Sequence, residues 1–349
     1  MIASVFVLAL ILAAAASPAQ NCPSKPSCQS PHGNLTIHSP QLYPESADFD
    51  PKRCVTYISN LFNRTISVYD AIQNHVTEVI TLKGITNNPK IHVSGVQVDT
   101  RHDKLSIMAN AGAAFDTSGA DISGDNFLVQ YDLRTKKIAW KRNLTSLSGG
   151  LYGGFQDIEH DAAGNCFVIG TFPSSIIKVS ADGKTAVAWY VEGNTNQTVQ
   201  GYSGVAAFDN GRNLLVIDNE YGQIFRFDTL ATSGQPMPVY TGAEPMGFHF
   251  DGAYLPTLYQ GTVCLISDNE MGTIVLRSRD GEWKAAEKLG VVANAYGGQG
   301  GSATATVQIG SRIYVVTEFF TDQEPGHLLN RTEFPLYDIT DDVNKLLYY

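Results

Sequence analysis

From residue 35 onward the apolar positions fall into short runs, rich in Val, Ile, Tyr, Phe and Thr and separated by Gly, Asp and Asn. That is strand patterning, and the i, i+3, i+4 spacing of amphipathic helices is nearly absent. Aligning the runs exposes a longer unit: a short strand, a turn, an apolar strand ending in polar residues, a turn, and a strand ending in aromatic-Asp. One copy is SGVAAFDNGRNLLVIDNEYGQIFRFD (203–228), and a second runs from Phe248 through TVCLISDNEMGTIVLRSRD to Asp280. Further copies are FQDIEHDAAGNCFVIGTFPSSIIKVSAD (155–182) and SADFDPKRCVTYISNLFNRTISVYD (46–70). Another is SGVQVDTRHDKLSIMAN (94–110), which rejoins at FLVQYD (127–132) after the insertion AGAAFDTSGADISGD (111–125). The sixth is looser, SATATVQIGSRIYVVTEFF (302–320) followed by FPLYDI (334–339).

Six copies spaced by roughly 45 to 55 residues predict an all-β chain, a six-bladed β-propeller of four-stranded antiparallel blades around a central channel. The outermost strands are weakly marked, as in KIAWKRNL (137–144) and AVAWYVE (186–192). LTIHSP (35–40) is available to add a strand to the last blade and close the ring, which removes a free edge. No stretch supplies a seventh blade.

The beginning of the chain sets the expected compartment. Residues 4–16 are an apolar run followed by small residues at Ser17 and Ala19, the pattern of a signal peptide over 1–19. That leaves 20–349 as one propeller domain in the secretory pathway, with no later segment long enough to span a membrane. Sequons at Asn34, Asn63, Asn143, Asn196 and Asn330 predict glycosylation in that compartment. Of five cysteines, Cys22, Cys28 and Cys54 lie near the mature N-terminus, where two can pair. Cys166 and Cys264 sit in apolar runs and read as buried thiols. The net charge of −10, with scattered Lys and Arg, gives no footprint for nucleic acid.

Candidate chemistry belongs to the face where first strands begin and second strands end, around the channel mouth, because a propeller's function lies in a site grafted on the fold. Tyr202, His92, Asn219 and Asn269 are the expected hydrogen-bond donors there, with Phe172, Phe319 and Tyr296 as apolar walls. Glu45, Asn60, Asn110, Gln156, Ser203, Asp218, His249 and Asp268 complete the expected ring of contacts. Each has a structural reading too. The Asp-Asn-Glu triplets at 218–220 and 268–270 suit turn capping, and Tyr202 and Tyr296 suit packing between blades.

Three sharper motifs fail. Gly201-Tyr202-Ser203-Gly204 has its second glycine one position early for a nucleophile elbow, and no helix follows. The glycine-rich 297–301 leads into a strand, not into the helix N-terminus that a phosphate loop needs. No HExxH or C-x-x-C pair marks a zinc site.

Pro44-Glu45-Ser46-Ala47-Asp48 is similar to the opening of lactonase and strictosidine-synthase-type propellers. The resemblance implies one divalent ion at the channel top, with Glu45, Asn60, Asn110, Asp218 and Asp268 as oxygen donors suited to calcium. The lactonase motifs do not continue along the chain, so the expectation is no metal and no cofactor.

A closer likeness runs in order along most of the mature chain: PESADFD (44–50), SNLF (59–62), VSGV (93–96), KVSADGKT (178–185), GYSGVAAFD (201–209) and FPLYDI (334–339). In these stretches the chain resembles a fungal family that includes the Malassezia major allergen, the trichothecene-cluster protein and the tropolonic-sesquiterpene hetero-Diels–Alderases. The resemblance implies a cofactor-free cyclase of hetero-Diels–Alder type, acting on hydrophobic terpenoid or polyketide intermediates in secondary-metabolite biosynthesis. The alternative it implies is a non-catalytic binder of lipid, phosphoinositide or another small molecule. A metal-dependent lactonase or hydrolase is the third reading. All three take a hydrophobic small molecule or lipid as partner.

Overall fold

The computed structural model describes residues 28–193, 196–324 and 327–348, so the signal segment and Cys22 lie outside the described residues. Six four-stranded antiparallel sheets form a ring, the predicted six-bladed β-propeller. Blade 1 is Pro44–Asp50, Val55–Asn60, Thr65–Asp70 and His75–Thr81; blade 2 is Ile91–Asp99, Lys104–Ala111, Phe127–Asp132 and Lys137–Asn143. Blade 3 is Gly153–His160, Cys166–Phe172, Ser175–Val179 and Ala186–Val191; blade 4 is Tyr202–Phe208, Asn213–Asp218, Gln223–Asp228 and the short Met237–Pro238. Blade 5 is Phe250–Tyr254, Val263–Asp268, Gly272–Arg277 and Glu287–Ala293. Blade 6 combines Ser302–Ile309, Arg312–Glu318 and Glu333–Asp338 with the N-terminal Leu35–His38 as its outermost strand. Leu35 pairs with Leu336 and His38 with Glu333, closing the ring as the sequence predicted.

Position within a blade dictates the pattern of each strand. Second strands are sandwiched between neighbouring blades, and Cys166–Phe172 is buried at every residue. Outer strands pack on one side only, so Lys137–Asn143 alternates half-buried and exposed. The sequence marks outer strands weakly for this reason: half of their positions face water and carry no apolar signal. The core lies in the seams between blades. Fully buried Tyr43, Phe155, Phe227, Trp283 and Phe334 fill it.

Cys28 pairs with Cys54 across a Cα–Cα distance of 5.4 Å, tying the N-terminal segment to blade 1. Cys166 and Cys264 are free, buried thiols, as expected. Burial pushes both up to about 12. No helix among the described residues is long and apolar enough to cross a membrane.

The innermost strands pack against one another all round the channel. Every one of them carries a β-bulge near its start: Pro44/Ala47, Val93/Val96, Phe155/Asp157, Tyr202/Val205, Phe250/Ala253 and Ala303/Ala305. A bulge sets two residues against one on the partner strand and re-aims their side chains. Glu45, Ser94, Gln156, Ser203, Asp251 and Thr304 sit in these bulges, at one level of the channel.

Candidate active site at the upper channel mouth

A cavity of about 310 Å³ opens at the face where the second strands end, within the size range of small-molecule sites. Leu61, Phe62, Phe115, Phe250 and Phe320 form its apolar side. Glu45, His92, Asn110, Gln156, Asp251 and Asn269 form its polar side. Among the described residues no Lys or Arg lines it.

Among the described residues no Lys, Arg or His pairs with the two carboxyls at its floor, Glu45 and Asp251. Burial holds Glu45 well above the usual carboxylate range, reinforced by the charges of Asp251, Glu318 and Asp157. Asp251 is pushed up to about 7 by burial, although the Asn269 amide donates to its Oδ2 at 2.9 Å. Glu45 Oε2 has no hydrogen-bond partner. Both carboxyls therefore keep their protons to higher pH than exposed ones do, and a protonated carboxyl here is a donor aimed at an apolar chamber. His92 Nε2 lies 3.9 Å from Asp116 Oδ1, with its ring edge-on to Phe62. Burial lowers its pKa more than Asp116 raises it, which keeps the imidazole neutral.

Five of the sequence-predicted residues therefore converge here: Glu45, His92, Asn110, Gln156 and Asn269. The others lie elsewhere. Tyr202 is buried in the seam of blades 3 and 4, stacked on Tyr190 at 5.6 Å and packed against Phe225 and Phe227. Asn219 turns its amide into the next blade, donating to Phe250 O and Ser203 Oγ and accepting from Phe250 N at 2.7 Å. Tyr202 thus faces the seam and not the cavity, the Asn219 amide is spent inside the fold, and Ser203 Oγ accepts from it.

Asp218 and Asp268 cap their own turns, accepting from Tyr221 N and from Glu270 N and Met271 N. His249 sits on the exposed rim, 3.8 Å from Glu270. Asn60 donates to the Thr65 and Ser67 hydroxyls, on a groove away from the channel. Phe172 stands behind Phe115 as a second layer of wall. Phe319 is buried under the Arg331 guanidinium, and Tyr296 packs edge-on to Tyr337.

These placements decide the calcium test. Of the five oxygen donors the lactonase likeness implies, only Glu45 and Asn110 face the cavity. Asn110 spends its amide nitrogen on Ser94 Oγ and Phe155 O and leaves its Oδ1, like Glu45 Oε2, without a partner, but Asn60, Asp218 and Asp268 do not join them at the cavity. Among the described residues no group of three His, Cys, Asp or Glu is arranged to hold a metal ion. Two of the five implied donors do not make the cage of oxygens that a calcium ion requires.

Asp251, Phe115, Asp116, Phe62 and Phe320 escaped the sequence reading. Asp251 has a signal, since it occupies the bulge position of Glu45 and Ser203. Phe115 and Asp116 come from the insertion, which forms a helical turn at Ala113–Asp116 over the mouth. The sequons are accessible: Asn34, Asn143, Asn196 and Asn330 are exposed and Asn63 is half-buried.

The profile of the Mal s 1 allergenic protein-like family matches residues 24–258. A trichothecene biosynthesis protein 14 from Trichoderma arundinaceum is 32% identical, covering 94% of this chain and 92% of that protein. The major allergen Mal f 1 of Malassezia furfur is 26% identical, covering 88% of this chain and 91% of the allergen. The crystal structure of the major Malassezia sympodialis allergen Mala s 1 shares the fold, with a TM-score of 0.76 and 21% identity over 88% of this chain and 96% of the allergen. On this match the chain belongs to the Mal s 1 allergenic protein-like family.

Proposed function

We propose that this chain is a cofactor-free cyclase of fungal secondary metabolism, closing a ring on a hydrophobic, oxygen-bearing terpenoid or polyketide intermediate. The observation that carries this reading is a cavity with an aromatic wall on one side and two buried carboxyls, Glu45 and Asp251, held above the usual carboxylate range on the other. A relative named for trichothecene biosynthesis supports the metabolic setting. A hetero-Diels–Alder closure needs two apolar reactants held in register, which proximity favours by up to roughly 7–11 kcal/mol. A protonated carboxyl beside the enone-like oxygen of the heterodiene withdraws electron density as the new bonds form. Asn269 orients Asp251 through its amide, and His92, kept neutral, adds no charge to the chamber.

The test is a product assay with a quinone-methide precursor and a humulene-type alcohol, with and without EDTA. The expected result is a faster, stereochemically biased adduct that EDTA does not affect. Asp251→Asn and Glu45→Gln should each lower turnover, by roughly 100-fold where that carboxyl is the donor. Turnover equal to the uncatalysed background would overturn the reading.

One observation favours a second reading, non-catalytic binding of an apolar molecule. Leu151, Tyr221, Phe248, Met271 and Phe320 are exposed on the same face. A phosphoinositide headgroup is a poor occupant, because it wants Lys or Arg and the cavity has neither. Tight binding of the terpene alcohol without acceleration would favour this reading.

A further inference from the structure

Below the cavity the channel narrows and then reopens. The narrow part is a void of about 40 Å³, sharing Glu45, Gln156 and Asp251 with the upper cavity. Its other end shares Gln97, Glu159 and Tyr254 with a funnel of about 870 Å³ on the opposite face. Through these shared residues the three spaces follow one another from the upper face to the lower. Carboxyls occur at each level: Glu45 and Asp251 at the top, Asp157 and Glu159 in the throat, Asp48 and Glu159 at the funnel.

The throat also holds polar groups that protein does not satisfy. Thr304 and Thr306 are 1% and 4% exposed, and both hydroxyls lack hydrogen-bond partners, as does Glu45 Oε2. Buried polar atoms without protein partners are the usual seats of ordered water. A water needs roughly 10–15 Å³ of such space, so the throat has room for a short file of them.

We infer that the throat is a water-lined proton path, which exchanges protons between the lower funnel and the Glu45–Asp251 pair while an apolar ligand fills the upper cavity. The inference rests on the reading of Glu45 and Asp251 as protonated donors. A proton enters at Glu159, which lines both the throat and the funnel and accepts from Gln97 Nε2 and Ala207 N at Oε1 and from His160 N at Oε2. It passes Asp157 and the waters held by Thr304 and Thr306, and reaches Glu45. One proton enters for each that leaves, with no change of redox state. Under apolar substrate the upper mouth is the drier end, so the acids stay in equilibrium with solvent from below.

The experiment is infrared spectroscopy of the intact protein after rapid transfer into D2O. Deuteration lowers the carbonyl stretch of a protonated carboxyl, and loss of the band in Asp251→Asn or Glu45→Gln assigns it. Phe320→Cys, alkylated with pyrenyl maleimide, plugs the upper mouth. The expected result is unchanged fast exchange with the plug in place. Exchange in the plugged protein should then slow about tenfold or more when Thr304→Val and Thr306→Val remove the hydroxyls that hold water. Serine at both positions should restore it. Exchange that slows on plugging alone, or that ignores the valines, overturns the path. Absence of any protonated-carboxyl band overturns the donor reading instead. Circular dichroism and the melting temperature confirm that each variant is folded.

Discussion

Asn110, Asn219 and Asn269 hold equivalent places at the ends of second strands, and each reaches the first strand of the next blade. The acceptors are Phe155 O, Phe250 O and Ala303 O. Asn219 uses both ends of its amide this way, so its role is to lock blades 4 and 5. Asn219→Leu strands the buried Phe250 N–H and Ser203 hydroxyl, and an unmade buried bond costs about 1–3 kcal/mol. The expected outcome in urea unfolding is a loss of that order. Tyr202→Phe removes only a hydroxyl from a stacked seam and should leave turnover unchanged; a large fall in turnover would return Tyr202 to the chemistry. At this scale the sequence picked out Glu45, His92, Asn110, Gln156 and Asn269 at the mouth, but not which way each neighbour turns. A donor facing a ligand and a donor facing the neighbouring blade are written with the same Asn. The Asp-Asn-Glu triplets illustrate it, with an Asp that caps, an Asn that clamps and a Glu at the rim.

At the scale of elements, the six bulges make the site. They aim Glu45, Gln156 and Asp251 into the channel, and they require backbones of adjacent blades to come close. Gly95, in the blade 2 bulge, has no room for a methyl, because a Cβ there would collide with Gln156 O. In blade 4, a Cβ on Gly204 would lie 2.5 Å from Ala253 N and Asp251 O. Gly95→Ala and Gly204→Ala should each cost about 1–3 kcal/mol through overpacking. Gly204→Ala should also lower turnover more than stability alone explains, since it pushes on Asp251. A Gly204→Ala protein with full turnover at a temperature where it stays folded would separate the bulge from the site. Second and third strands, buried on both faces, were plain in the sequence, as was the closing strand at Leu35–His38. The bulges were not. An inserted residue breaks the period-two alternation, so the sequence pattern does not show that Asp251 faces the channel beside Glu45 while His249, two residues earlier, stays on the rim.

On the scale of the whole molecule, the channel is a column of carboxyls that also stitches blades together. Asp48 accepts from Val98 N, Asp157 from Val205 N, and Glu159 from Ala207 N. Burial nonetheless pushes Asp48 and Glu159 up to about 7 and Asp157 up to about 8. Between roughly pH 4 and 8 the folded chain binds protons that the unfolded chain has released. Stability must therefore fall as pH rises through that window, by up to about 1.4 kcal/mol per pH unit for each such group. Buried His160, lowered to about 4, acts in the opposite sense, but only below its unfolded value near 6.5. From about pH 6.5 to 8 the carboxyls act without that opposition. The urea midpoint should accordingly be higher at pH 6 than at pH 8, and Glu159→Gln should flatten the slope while keeping a partner for Ala207 N. A midpoint that holds level or climbs across this range would mean that the channel carboxyls are ionised in the folded protein. The upper cavity would then present anions to its ligand instead of donors, and the same titration would decide against both the proton path and the acid-assisted ring closure.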